Sequence, residues 1–365
     1  MAFTGPTKMS LIAAVHGVLG SHGYPQSEIT DAFARVVSPD GSSREVIKRI
    51  HAATGVEHRY LALPLEEYEQ LSGFGAANDA FIRAGLDMAE AALRGALDAA
   101  GLVVGDVDMV MTTTVTGIAV PSIEARLVPR LGLRADVKRV PVFGLGCVAG
   151  AAGIARVHDY LVGHPDDVAV LLSLELCSLT VQRDDASMAN IVASGLFGDG
   201  SAAVVMVGER RAELMGVHGP QVIASRSRLY PDTERTMGWD IGGSGFRIVL
   251  SPGVADVITG NLSGDVAGFL GDHELTISDI TAWVCHPGGP KVLQAMESAL
   301  DLHVGQLDVT WRSLAAIGNL SSASVLHVLG DTLAGRGLDP PEAGSPGLML
   351  AMGPGFCAEL VLLRW

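Results

Sequence analysis

Between Val140 and Tyr160 the chain reads VPVFGLGCVAGAAGIARVHDY, and its hydrophobic period changes partway along. Val140 to Phe143 form an apolar run of strand type, a Gly-Leu-Gly corner follows, and the residues beyond Cys147 are small, with Ile154, Val157 and Tyr160 on one helical stripe. A strand that turns straight into a helix must lay that helix back on a sheet, which confines the chain to layered α/β folds. The alternation extends on both sides. DVDMVMTTTV, DDVAVLLSLEL and SAAVVMVG read as strands, whereas Asp79 to Ala100 and VPSIEARLVPRLGL read as helices. YPQSEITDAFARVV reads as the first helix, capped by Ser27 and with Ile29, Ala32, Phe33 and Val36 as its apolar stripe. The run from Lys8 to Val15 has some look of a signal peptide, but His16 interrupts it and no small-residue cleavage site follows, so it reads as the first strand.

The second half repeats the theme. ITAWVCHPGG (strand), PKVLQAMESAL (helix), GNLSSASVLHVLGDTLA (helix) and GLMLAMGPGFCAELVLLRW (hairpin) parallel the first half, with Asn319 standing where Cys147 stands. The expectation is a duplicated α/β protein, residues 1–215 and 216–365, with a site at the seam. Gly144, Gly146 and Gly150 give GxGxxxG, one residue longer than the dinucleotide fingerprint, and no acidic residue closes a strand at the required distance. The GxSxG of lipases is absent.

Composition narrows the classes. With 365 residues and 48% hydrophobic content the chain can bury a large core. Forty acidic against 25 basic residues, a net charge of −15, argue against nucleic acid and anionic membranes as partners. Cys147, Cys177, Cys285 and Cys357 show neither metal-ligand spacing nor a disulfide framework, which fits a cytoplasmic protein. No transmembrane segment is expected, because Glu175 interrupts the longest apolar run.

Three polar side chains fall at element ends. Cys147 sits at a helix N-terminus, where unpaired N–H groups and the helix dipole favour an anion, so a basic partner close by would let the thiol ionise near neutrality. His286 ends an apolar run before a Pro-Gly-Gly turn, and Asn319 opens a helix. Singly these read as a small core cysteine, a turn histidine and an N-cap; taken jointly those readings lose their force.

GLGC followed by AGAAG, then LFGDGSAAVV, HPGGPKVL, GNLSSAS and a terminal GPGFCAELVLLRW, in that order, resemble the type III polyketide synthases, the chalcone synthase-like branch of the thiolase superfamily. The resemblance implies a duplicated thiolase-type five-layer αβαβα fold. It implies that Cys147 carries the acyl chain while His286 and Asn319 form an oxyanion hole for the enolate left when malonyl-CoA loses carbon dioxide, with no metal or organic cofactor. Phe197 and Phe246 match gatekeeping aromatics, Thr116, Cys177 and Thr180 match cavity-lining positions, and Val120 matches a residue inserted by a partner subunit, so a homodimer is implied. For the coenzyme A phosphates Arg49 matches a basic position; Val46 and Ala53 fall where plant relatives carry lysines, and Lys48, Arg59 and Lys291 are the candidates to compensate. VTGIAVPSIEARLVPRLGL and MGWDIGGSGFRIVLSP look most like alkylresorcinol and alkylpyrone synthases, which start from a long-chain acyl-CoA. The alternatives are a malonyl-CoA-primed tetrahydroxynaphthalene-type synthase and a single-condensation ketoacyl synthase III, against which the HPGGP and GPGF motifs weigh.

Overall fold

The computed structural model describes residues 9–183, 185–336 and 340–365; Lys8, the first residue of the expected opening strand, lies outside them. Nine strands carry the architecture: β1 (Ser10–Leu19), β2 (Met109–Thr114), β3 (Lys138–Phe143), β4 (Val168–Leu176), β5 (Asp199–Gly208), β6 (Gln221–Leu229), β7 (Ala282–Cys285), β8 (Pro346–Gly353) and β9 (Cys357–Arg364). Their order is β7-β8-β9-β6-β1-β5-β4-β2-β3. The first-half strands β1 to β5 meet the second-half strands through the pairs Ser10–Val222 and Leu11–Gln221.

Residue alternation along the strands builds the layers. Every residue of β4 is buried, which is why its sequence is a continuous apolar run rather than an in-out pattern. Val170, Leu172 and Leu174 pack on Ala89, Leu93, Ala96 and Leu97 of the helix Phe74–Ala100. Ala169 and Leu171 face the other way, onto Ile154, Val157 and Leu161 of the helix Ala149–Gly163 and Val325, Val328 and Leu329 of the helix Ser324–Leu333. From the second half, Met349 and Ala351 of β8 cover the opposite side of those same two helices, while Leu348 and Leu350 face the helices Val254–Gly271 and Pro290–Leu300. The result is helix, sheet, helix, sheet, helix.

The middle layer positions the chemistry. Its two helices begin side by side: a Cβ at Gly150 would stand 2.4 Å from the Ser322 carbonyl oxygen, so glycine is what lets the starts come this close. Cys147 lies in the turn Gly146–Val148 that leads into one helix, and Asn319 precedes the turn Ser321–Ala323 that leads into the other.

Two local expectations are corrected. The long helix begins at Phe74 rather than Asp79. The first helix, Gln26–Val37, buries Ile29, Ala32, Phe33 and Val36 as expected, but Ser27 is exposed inside it, and Pro25 holds the cap position with no side-chain bond. Among the described residues no helix is long and apolar enough to cross a membrane.

Candidate active site

The strand β3 ends at Phe143, and the chain reaches Cys147 through Gly146, whose φ of +61° and 2.5 Å approach of its would-be Cβ to Pro354 Cδ leave no room for a side chain. Cys147 is buried and its Sγ lies 3.7 Å from Ser321 Oγ, across the seam between the two helix starts. Burial pushes the thiol up to about 12, against the Ser321 hydrogen bond, which acts in the other direction. His286 follows β7; its backbone N–H donates to the Leu350 carbonyl at 2.9 Å, and both ring nitrogens are buried with no partner. Burial pulls its imidazole down to about 3. Burial thus favours the neutral form of each group taken by itself, and the helix end alone does not ionise Cys147; the sequence reading required a basic partner as well. Moving the thiol proton to an imidazole nitrogen would create two charges that each offset the other's desolvation, a state that neither group reaches alone.

Asn319 is fixed at both ends of its peptide. Its N–H donates to the Leu196 carbonyl and its own carbonyl accepts from the Gly198 N–H, each at 2.9 Å. Its side-chain Oδ1 accepts from the Ser321 N–H at 2.8 Å and from Ser324 Oγ at 3.4 Å, so the Nδ2 end is the donor it can offer a ligand.

Two cavities share Cys147. One is lined by Thr116, Cys177, Thr180, Phe197, Met237 and Trp239 among others. The second brings Cys147 together with His286, Asn319, Phe197 and Gly288. Phe197 thus forms part of the wall of both. The structure brings Cys147, His286 and Asn319 to one cavity and sets Thr116, Cys177 and Thr180 around the other.

Phe246 is not on either cavity's lining. It is buried one layer back, edge-on to Phe74 with ring centres 5.2 Å apart and packed on Phe143 and Trp239 at 6.0 and 5.9 Å. From its hairpin, Met237–Gly242 with Gly245–Leu250, it is Met237, Trp239 and Ile248 that reach the Cys147 cavity. Val120 is 96% exposed, clear of both cavities.

Among the basic residues Lys48 and Arg49 are exposed on the helix Arg44–Ala52, Lys48 within 3.9 Å of Asp31. Lys291 is exposed in the first turn of the helix Pro290–Leu300, three residues after Gly288 of the second cavity, and a Cβ at Gly55, after the helix Arg44–Ala52, would stand 3.9 Å from Pro290 Cγ. Arg59 does not belong with them. It is 0% exposed, with Nε donating to Gln26 Oε1 at 2.9 Å and Nη1 to the Phe197 carbonyl at 2.8 Å, so it has no surface to offer a phosphate.

Sequence reasoning passed over Glu175. Its fully buried carboxylate accepts from the Val115 N–H at 3.1 Å, Thr116 Oγ1 at 2.9 Å and Ser322 Oγ at 2.5 Å, tying both halves of the protein together behind Cys147. Burial raises its pKa while those bonds lower it. The signal was present: an acidic residue inside an otherwise apolar strand needs buried partners. Trp239, held by an indole bond to the Val115 carbonyl at 3.0 Å, gave no such signal.

Comparison with known proteins bears on the family. Residues 4–210 match the N-terminal domain of chalcone and stilbene synthases, and residues 221–365 match the C-terminal domain. A 1,3,6,8-tetrahydroxynaphthalene synthase of Streptomyces peucetius subsp. caesius is 57% identical over 354 residues, covering 97% of this chain and 93% of that one. A phloroglucinol synthase of Pseudomonas fluorescens is 30% identical over 363 residues, covering 98% and 99%. The crystal structure of the Streptomyces coelicolor A3(2) tetrahydroxynaphthalene synthase, a bacterial type III polyketide synthase, superposes with a TM-score of 0.89 at 29% identity, covering 97% of this chain and 99% of that one. Sequence motifs, five-layer thiolase-like fold and relatives agree that this chain belongs to the chalcone and stilbene synthase family, the acyl-transferring type III polyketide synthases.

Proposed function

We propose that the enzyme primes with malonyl-CoA and builds a tetrahydroxynaphthalene-type product wholly from malonyl-derived units, in preference to the long-chain alkylresorcinol or alkylpyrone reading. The observation that carries this is the 57% identity with a tetrahydroxynaphthalene synthase over nearly the whole of both chains. The Cys147 cavity supports it as well: Trp239, fixed to the Val115 carbonyl, and Met237 stand in its wall, where a long acyl starter would need an open channel.

In this reading Cys147 takes the acyl group from coenzyme A by thioester exchange, releasing the coenzyme A thiol. A malonyl-CoA then loses carbon dioxide, and the electron pair of the broken bond forms an enolate whose oxygen receives hydrogen bonds from His286 and the Asn319 amide. The enolate carbon attacks the Cys147 thioester, expels the thiolate and leaves a chain longer by one unit on coenzyme A, ready to return to Cys147. Lys48 and Arg49, exposed on the helix Arg44–Ala52, and Lys291, exposed at the start of the helix Pro290–Leu300, are the proposed partners of the coenzyme A phosphates. A homodimer is part of the same proposal. Val120 and Ile118 expose apolar side chains, as do Phe143 and Leu145 at the end of the edge strand β3, and such surface suits a second copy.

The test is product identification by mass after incubation with malonyl-CoA alone and with acetyl-CoA or palmitoyl-CoA added. A naphthol from malonyl-CoA alone, undiminished in share by the added starters, is expected. A product that requires an acyl-CoA, with kcat/KM climbing with its chain length, would overturn the proposal and restore the long-chain reading.

A further inference from the structure

Arg59 is a fully buried guanidinium that no surface interaction explains, and its contacts converge on the catalytic seam. Nη1 donates to the carbonyl of Phe197, a residue that, like Met237, stands in the wall of both cavities. The side-chain stem lies against the backbone just before Asn319: a Cβ at Gly318 would meet Arg59 Cγ and Cδ at 3.2 and 3.3 Å. Nε donates to Gln26 Oε1, and Gln26 Nε2 in turn donates to the Gly195 carbonyl at 2.6 Å, two residues before Phe197. The Leu196–Gly198 backbone is itself paired with Asn319 through both of that residue's peptide groups. One cation therefore braces the segment bearing Phe197 and the segment bearing Asn319 against each other.

We propose that Arg59 is a positioning residue of the synthase, acting through the Phe197 carbonyl and the Gly318–Asn319 backbone to set the wall between the two cavities and the aim of the Asn319 amide. The physical reason lies in geometry that only a guanidinium supplies. Its planar fork serves the Phe197 carbonyl and Gln26 together, whereas a lysine ammonium keeps the charge on a thinner, unforked chain. Full burial makes the arrangement stiff, because releasing Phe197 would leave both a carbonyl and an N–H unpaired. Asp199 completes the frame from the other side. It accepts from the Ala62 N–H at 2.7 Å and the Ser178 N–H at 2.8 Å, holding the Cys177–Thr180 turn that lines the first cavity.

The test compares the wild type with Arg59→Lys and Gln26→Met, and rests on the reading of malonyl-CoA as extender. Active sites are counted by iodoacetamide labelling of Cys147, and per labelled site one follows acetyl-CoA release from malonyl-CoA alone and the ratio of full-length to early-released product. In Arg59→Lys, decarboxylation per site should fall about tenfold or more, since small misplacements of a catalytic group are costly in rate, and early-released product should gain share. Gln26→Met, which loosens Nε and leaves the Phe197 bond, should show a smaller shift in the same sense. Combining Arg59→Lys with Phe197→Leu should change the product ratio less than the two separate effects predict, because the residues act as one unit. Loss in Arg59→Lys accounted for entirely by fewer labelled sites, with per-site rate and product ratio unchanged, overturns the proposal in favour of a purely structural arginine. A wild type that makes nothing from malonyl-CoA sinks the functional reading instead, and the Arg59 comparison is then read on whichever acyl-CoA the wild type accepts.

Discussion

Replacing Asn319 separates chemistry from architecture, because its two side-chain ends do different work. In Asn319→Ala the Nδ2 donor is lost, and deletion of one oxyanion-hole donor costs about 100-fold to 1000-fold in rate. The Oδ1 acceptor is lost too. The Ser321 N–H, bonded to it at 2.8 Å in a buried turn, is left without a partner, which costs about 1–3 kcal/mol of stability. Asn319→Asp keeps an acceptor for Ser321 but places an oxygen where the donor was. Acetyl-CoA release from malonyl-CoA should therefore collapse in both variants, while acylation of Cys147 by a starter survives, as read by intact mass. Urea unfolding should show the stability loss in the alanine variant. If the alanine defect came only from a loosened Ser321 turn, the aspartate variant would recover; decarboxylation in Asn319→Asp within threefold of wild type would refute the assignment of the amide as oxyanion donor.

Other consequences are equally direct. His51, His286 and His327 fold with pKa values pulled by burial to about 4, 3 and 4, below their ordinary range, so their contribution is complete above about pH 6.5 and is lost as pH falls toward those values. At pH 5.5 the loss is on the order of 1 kcal/mol each. Asp199, raised by burial to about 6, works in the opposite sense and offsets part of it, so urea stability should be lower at pH 5.5 than at pH 7.5, and equal values would contradict the burial argument. His286→Gln should slow iodoacetamide labelling of Cys147 by about tenfold or more if the imidazole is the proton acceptor; unchanged labelling would leave activation to the helix end alone. Gly146→Ala should fold poorly or lose acylation, since φ is +61° and the new Cβ would drive into Pro354 at 2.5 Å; a fully active variant would show that the corner can relax. Cys147→Ala should abolish the acyl adduct, and Cys177→Ala, Cys285→Ala and Cys357→Ala should each retain it by intact mass; an adduct on the Cys147→Ala protein would contradict the choice of nucleophile.

The sequence by itself determined the layered α/β architecture and the order of the chemistry along it. Continuous apolar runs such as VAVLLSLEL declare strands covered on both faces, and the Gly-Leu-Gly corner before Cys147 declares a strand entering a helix, because burial of apolar faces leaves a local period in the chain. The resemblance carried by the motif order implied that Cys147, His286 and Asn319 meet, and one cavity is lined by all three. What the tertiary structure alone decided concerns polar partners. Arg59 reads in sequence like another member of the basic stretch with Lys48 and Arg49, yet its acceptor is the carbonyl of Phe197, 138 residues away, and the pairing of the two buries it. Phe246 and Trp239 sit on one hairpin, and only packing against Phe74 and Phe143 sends the first behind the wall while the second enters it. The ionisation of Cys147 follows the same rule: a helix end is visible locally, but the burial that pushes the thiol up to about 12 comes from the meeting of two halves of the chain, which no local pattern records.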